Sequence, residues 1–117
     1  VEYAVTPQNA NGRSLLIFRY TSPTSWAGIG YDLNNNWVWV NGAGQYGNLI
    51  TSGPDLASGN TYIVKVTYSG STITIWVDGS QIYTGSVTQL PTGAGKIGFR
   101  DWNAAHVHYD NVTYTSP

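Results

Sequence analysis

Tyr62-Ile63-Val64-Lys65-Val66-Thr67-Tyr68, then Ser69-Gly70-Ser71, then Thr72-Ile73-Thr74-Ile75-Trp76-Val77, then Asp78-Gly79-Ser80 and Gln81-Ile82-Tyr83 read in succession as strand, turn, strand, turn and strand. Tyr62, Val64, Val66 and Tyr68 fall on every second residue, as do Ile73, Ile75 and Val77, and a period of two puts each set on one face of an extended chain. Ser69-Gly70 and Asp78-Gly79 supply residues that take positive φ at little cost, as tight hairpins require. The segment is therefore expected to form a three-stranded antiparallel meander, with Ile73, Ile75 and Val77 turned to a core and Thr74 and Trp76 turned away from it.

Outward from this meander the same pattern recurs. Runs of β-branched and aromatic residues alternate with clusters of Gly, Asn, Ser and Pro. The remaining candidate strands are Val1 to Thr6, Ser14 to Tyr20, Trp26 to Leu33, Trp37 to Asn41, Gly47 to Thr51, Lys96 to Asp101 and Val107 to Thr115, with Thr61 to Ser69, Thr72 to Asp78 and Gln81 to Ser86 making up the meander. Asn11-Gly12 and Gly93 to Gly95 mark further turns. No linker interrupts the series, and 117 residues suffice for one core, so a single domain over residues 1–117 is expected.

Composition excludes the alternatives. Gly, Thr, Ser and Asn make up 47 of the 117 residues, charged residues only 9% against a usual ~25%, and Lys65, Lys96 and Glu2 are the only lysines and glutamate, so helices with solvated faces cannot be built. The fold class is all-β, a two-sheet antiparallel sandwich. A formal net charge of -1 lacks the basic footprint that phosphate neutralisation needs, so nucleic acid is not an expected partner. No run approaches the ~18 apolar residues of a spanning helix, and no membrane partner is expected. With no cysteine there is neither a disulfide nor a thiolate metal site. A lysine-poor, cysteine-free β composition fits a secreted or cell-surface bacterial module. The absence of a methionine at position 1 and of a signal peptide suggests a piece excised from a larger secreted protein.

Catalytic chemistry finds little support. Glycoside hydrolysis needs two carboxylates at a set separation. Asp78 belongs to a hairpin turn, Asp55 to a loop after Pro54, and Asp110 to a bulge or strand entry before Asn111, which leaves Asp32 and Asp101 at strand ends without an accompanying glutamate. His106 and His108, at i and i+2, share a strand face, but no third metal ligand and no nucleophile-elbow sequence accompanies them, so neither a metal nor a cofactor is expected. Asn111-Val112-Thr113 forms a glycosylation sequon, which matters only in a eukaryotic secretory pathway.

The aromatics carry more information. Ile97 and Phe99 are the apolar set of their strand, which leaves Arg100 and Trp102 on the opposite face. In Trp37-Val38-Trp39-Val40 either pair can point inward. The valines are expected inside, which would make Trp37 and Trp39 an outer platform.

Two segments resemble a known group. Leu16-Ile17-Phe18-Arg19-Tyr20, Ser25-Trp26-Ala27-Gly28-Ile29-Gly30-Tyr31-Asp32 and Trp37-Val38-Trp39, together with Gly95-Lys96-Ile97-Gly98-Phe99-Arg100-Asp101-Trp102 and Tyr109-Asp110-Asn111-Val112-Thr113-Tyr114, are similar to laminin-G-like, concanavalin-type jelly-roll modules attached to bacterial glycosidases. Levan-binding (family-66) carbohydrate-binding modules and the sandwich modules of endo-alpha-N-acetylgalactosaminidases are among the modules the chain resembles, and keto-disaccharide hydrolase domains share the ending. The resemblance covers nearly the whole chain, and its motifs specify architecture better than ligand. The glucanases of the wider jelly roll carry a Glu-x-Asp-x-x-Glu signature that is missing here. The resemblance implies a non-catalytic carbohydrate-binding module that holds an attached glycosidase or adhesin near a neutral polysaccharide or oligosaccharide. By the same resemblance the ligand-binding positions are Arg19, Tyr31, Asp32, Trp39, Arg100, Asp101 and Trp102, with Trp26, Trp37 and His106 in second rank; Arg100-Asp101-Trp102 leads them, as a donor fork, an acceptor and a stacking surface grouped within three residues at a strand end. The resemblance implies one or two more strands before Val1, so the expectation is either a compact module or one whose sheet edge is supplied elsewhere, by a truncated segment or by a partner chain. The competing reading is a structural β-sandwich whose aromatics pack on a neighbouring domain or partner chain.

Overall fold

The computed structural model describes residues 1–8, 13–31, 36–51, 53–54, 56–102 and 107–115, apart from the side chains of Arg13, Thr51 and Trp102. Strands β1 (Glu2–Pro7), β2 (Arg13–Ser22), β3 (Ser25–Tyr31), β4 (Asn36–Asn41) and β5 (Tyr46–Thr51) are followed by β6 (Tyr62–Ser69), β7 (Thr72–Val77), β8 (Ser80–Ser86), β9 (Lys96–Trp102) and β10 (Val107–Thr113). They form two antiparallel five-stranded sheets, ordered β10-β1-β6-β7-β8 and β5-β4-β3-β2-β9, and no helix occurs among the described residues. Each strand matches a segment expected from the sequence to within about two residues. Asn11-Gly12, Asp55 and the expected strand end at Leu33 lie outside the described residues.

The meander forms as its alternation dictates. Ile73, Ile75, Val64 and Val66 are sealed between the sheets, whereas Thr74 and Trp76 lie on the far face. Asp78 and Gly79 both have positive φ, 49° and 84°, which suits the twist of a two-residue hairpin. Asp78 is held there by its own side chain, since Oδ1 accepts the Ile63 N–H at 2.8 Å. At the other edge Asn111, at φ 51°, sits where the register of β10 on β1 shifts, and Asp110 Oδ1 accepts the Asn111 N–H.

Strand β4 reverses the expected facing. Trp37 is only 1% exposed and packs in the inter-sheet core 5.9 Å from Tyr31, and Trp39 leans on that core across Gly47, where a β-carbon would fall 2.6 Å from the indole nitrogen. Val38 and Val40 instead join Leu15, Ile17, Trp26 and Tyr20 in a second apolar cluster on the outer face of the same sheet. Both faces of β4 are therefore apolar, so alternation alone could not orient it. The indoles take the inter-sheet side although Trp37 Nε1 finds no hydrogen-bond partner among the described residues.

Strand β2 contains an irregularity on which both sheets depend. Its register shifts against β9 between Ile17 and Tyr20 and against β3 between Phe18 and Ser22, and Arg19 within this bulge has φ 54°. The extra residue turns the Arg19 side chain inward. Arg19 is 6% exposed; its guanidinium donates to Gly70 O at 2.8 Å and Pro91 O at 3.1 Å and lies 4.6 Å from the centroid of Tyr68, on which the ring of Phe18 also stacks. One side chain of one sheet thus binds the β6–β7 turn of the other and the loop before β9. Arg19→Ala orphans two carbonyls and removes a cation–π contact, and is expected to cost about 2–4 kcal/mol even after the relief of backbone strain. Urea unfolding at unchanged m-value checks this; an unchanged midpoint contradicts it.

Candidate functional site

The outer face of the β5-β4-β3-β2-β9 sheet is where the expected ligand residues and open space coincide. Cross-strand pairs Tyr20–Lys96, Ile17–Gly98 and Leu15–Arg100 line up along β2 and the edge strand β9, with Arg13–Trp102 in register beyond them. Directly paired residues point the same way, so Lys96, Gly98 and Arg100 share the face of the Leu15–Ile17 cluster, while Ile97 and Phe99 turn to the inter-sheet core. A β-carbon built at Gly98 would meet no atom of the described residues within 4 Å. Gly98 is therefore a low, open floor between two exposed cationic side chains spaced about 13 Å apart along the strand, with the half-buried Tyr20 beside it. The row through Gly98 continues over Ile17, Gly28 and Val40 to Tyr46, which is 78% exposed at the opposite edge. Trp26 covers Gly28, its ring edge 3.0 Å from where a β-carbon would stand. The resulting strip has an apolar bed with an aromatic toward each end and N–H donors at one end. That combination suits a polyhydroxylated ligand with apolar ring faces.

The structure distributes the sequence-derived candidates over several environments. Arg100 stands on this strip, and Trp102 closes the same strand. Asp101, between them, points to the opposite side: its Oδ1 accepts the Tyr109 hydroxyl at 2.5 Å, and Tyr109 also bonds Ser14 Oγ. Arg100 and Asp101 thus face opposite sides of the strand, so Asp101 does not join Arg100 at one ligand as the grouping Arg100-Asp101-Trp102 expects. Arg19 is committed to the inter-sheet tie. Tyr31, Trp37 and Trp39 belong to the inter-sheet side, and Trp26, 9% exposed, donates its Nε1–H to Pro23 O at 3.0 Å. The placement of Trp37 and Trp39 corrects the expectation that these two form an outer platform. Asp32 and His106 lie outside the described residues, so neither the Asp32–Asp101 pair nor the His106–His108 pair can be placed; His108 is exposed on β10 opposite Thr6. Among the described residues no three His, Asp or Glu side chains gather as a metal site.

Tyr20, Lys96, Gly98 and Tyr46 went unrecognised in the sequence. Tyr20 reaches the outer face only because the Arg19 bulge shifts the alternation of β2. Gly98 was visible within Gly95-Lys96-Ile97-Gly98-Phe99-Arg100, where a glycine in mid-strand signals close approach of a ligand or backbone.

Residues 1–110 match the family model described as the concanavalin A-like lectin/glucanases superfamily. Among solved structures, the carbohydrate-binding module CBM66 from Bacillus subtilis is similar with a TM-score of 0.75 at 16% sequence identity, the match covering 94% of this chain and 70% of that one. The Caenorhabditis elegans galectin LEC-6 is similar with a TM-score of 0.67 at 16% identity, covering 97% of this chain and 80% of that one. No curated protein matches the sequence.

The tie behind the strip sets an alkaline limit on stability. Burial, chiefly, and then the hydrogen bond to Asp101 push the Tyr109 phenol well above its ordinary value; burial does the same to Tyr3, and Tyr68 is pushed up to about 12 by burial and its bond with Tyr114. These phenols stay protonated in the fold while the unfolded chain ionises from about pH 10, so their contribution is full below pH 10 and is lost as pH rises beyond it. Each contributes up to about 1.4 kcal/mol per pH unit to that loss. Tyr109→Phe is expected to be less stable at pH 7 but to show a shallower decline between pH 10 and 12 in denaturant titrations; an identical slope contradicts the assignment.

Proposed function

The chain belongs to the concanavalin A-like lectin/glucanases superfamily, and from that premise we propose that it is a non-catalytic carbohydrate-binding module whose ligand, a neutral glycan, lies across the outer face of the β5-β4-β3-β2-β9 sheet. The observation that carries this reading is the open floor at Gly98 beside Arg100 and Tyr20. Sugar rings offer apolar C–H faces that stack on Tyr20 and Tyr46, and their hydroxyls accept hydrogen bonds from the Arg100 fork and the Lys96 ammonium. Trp102, at the end of the same strand, adds a stacking surface in this proposal. The likeness in fold to a carbohydrate-binding module and to a galectin supports it.

The reading is non-catalytic because hydrolysis of a glycosidic bond needs two carboxylates about the scissile oxygen. The described part of the strip presents none, and Asp101 is turned from it toward Tyr109. In this proposal the module belongs to a secreted or cell-surface protein, where it keeps an attached glycosidase or adhesin at its glycan.

Calorimetric titration with levan, inulin, β-glucan and galactosamine-containing glycans tests the proposal. At least one of them binds, and Arg100→Ala and Trp102→Ala each weaken that binding about tenfold or more, the loss of roughly 1.4 kcal/mol expected for a central contact. Undiminished affinity in both variants, or no binding to any of the glycans by the folded protein, contradicts it.

A further inference from the structure

The outer face of the other sheet carries a half-buried tryptophan. Trp76 belongs to neither apolar cluster. Glu2, Lys65 and Trp76 stand side by side on β1, β6 and β7, and the Lys65 ammonium lies 5.2 Å from the Trp76 ring centroid. Beside them is a hollow of about 300 Å³ bounded by Glu2, Ile63, Lys65, Trp76 and Gly79. Ile63, 42% exposed, forms its second apolar wall.

We propose that this hollow is a second glycan site and that it takes a single neutral sugar unit; this inference rests on the carbohydrate-binding reading of the chain. The volume stands at the lower end of the range for small-ligand sites. An indole and an isoleucine provide the apolar contact that a sugar's C–H face seeks, while one ammonium donor and one carboxylate acceptor match hydroxyls, which both give and take hydrogen bonds. The two charges are of opposite sign, so the hollow favours an uncharged polyol over an anion or a cation. The sheets of a sandwich pack about 10 Å apart, and the two sites face away from each other. One straight segment of polysaccharide cannot occupy both, so the module is bivalent and joins two segments, gaining avidity on an insoluble or branched glycan.

Titration of the isotope-labelled 117-residue protein with soluble oligosaccharides of levan, inulin, β-glucan and galactosamine-containing glycans, followed through the tryptophan indole N–H signals, decides this. The Trp76 signal, assigned with Trp76→Phe, is expected to shift on addition of a glycan that binds. Trp76→Ala and Lys65→Ala are each expected to weaken that event about tenfold, leaving the binding sensitive to Arg100→Ala unchanged. Lys65→Ala keeps the test open should Trp76→Ala fail to fold. A Trp76 signal that stays fixed while the Arg100 side responds overturns the second site and leaves the proposed function standing. Absence of any response overturns both.

Discussion

A buried guanidinium must be surrounded by acceptors, and meeting that requirement for Arg19 organises much of this molecule. An ion of that size is costly to bury unless its donors are satisfied. The acceptors come from Gly70 and Pro91, and the ring of Tyr68 covers one face of the guanidinium. Two sheets of a sandwich share no ladder hydrogen bonds, so their relative position rests on side-chain packing and on bonds such as these. The Arg19 tie fixes the β6–β7 turn against β2, and it fixes the loop that delivers the chain into β9. At the opposite end of β9 the Asp101–Tyr109–Ser14 bonds and the stacked rings of Phe99 and Tyr109 join the same two sheets again.

The site follows from this anchoring. Strand β9 is an edge strand, bonded on one side only, and edges are where a sheet is least constrained. Held near both ends, it presents Lys96, Gly98 and Arg100 at fixed intervals. The bulge that lets Arg19 enter the interior also brings Tyr20 opposite Lys96, so one backbone irregularity provides both the tie and an aromatic wall of the site. A surface whose shape is set in advance loses little entropy when a glycan settles on it, which matters for ligands that offer mostly weak contacts.

Much of the architecture could be read from residue order. In the segment from Tyr62 to Val77 the residues at every second position, Val64, Val66, Ile73 and Ile75, take the inter-sheet face as the alternation dictates. β4 could not be oriented because its outer valines meet a second apolar cluster, leaving both faces buried; only the larger space between the sheets decides for Trp37 and Trp39. Arg19 was misleading for a related reason, since a cation in an otherwise apolar strand looks like a surface group until its acceptors, 51 and 72 residues away, are in place. Asp101 was placed correctly along the chain but grouped with Arg100 by proximity, where the period of two separates them. Of the candidate site, Arg100 and its face were legible from Ile97 and Phe99, whereas the partners of that face depend on pairing between distant strands.

The central claim is that the floor at Gly98 receives the ligand, and filling it is the most direct test. Gly98→Val adds a side chain where the protein leaves open space, at a φ outside the left-handed region and with a residue favoured in strands, so the unfolding midpoint should be preserved. Calorimetry on this variant, with whichever glycan the parent binds, should show that the binding sensitive to Arg100→Ala is lost, whatever the hollow at Trp76 retains. A Gly98→Val protein that binds the glycan as tightly as the parent would contradict the account.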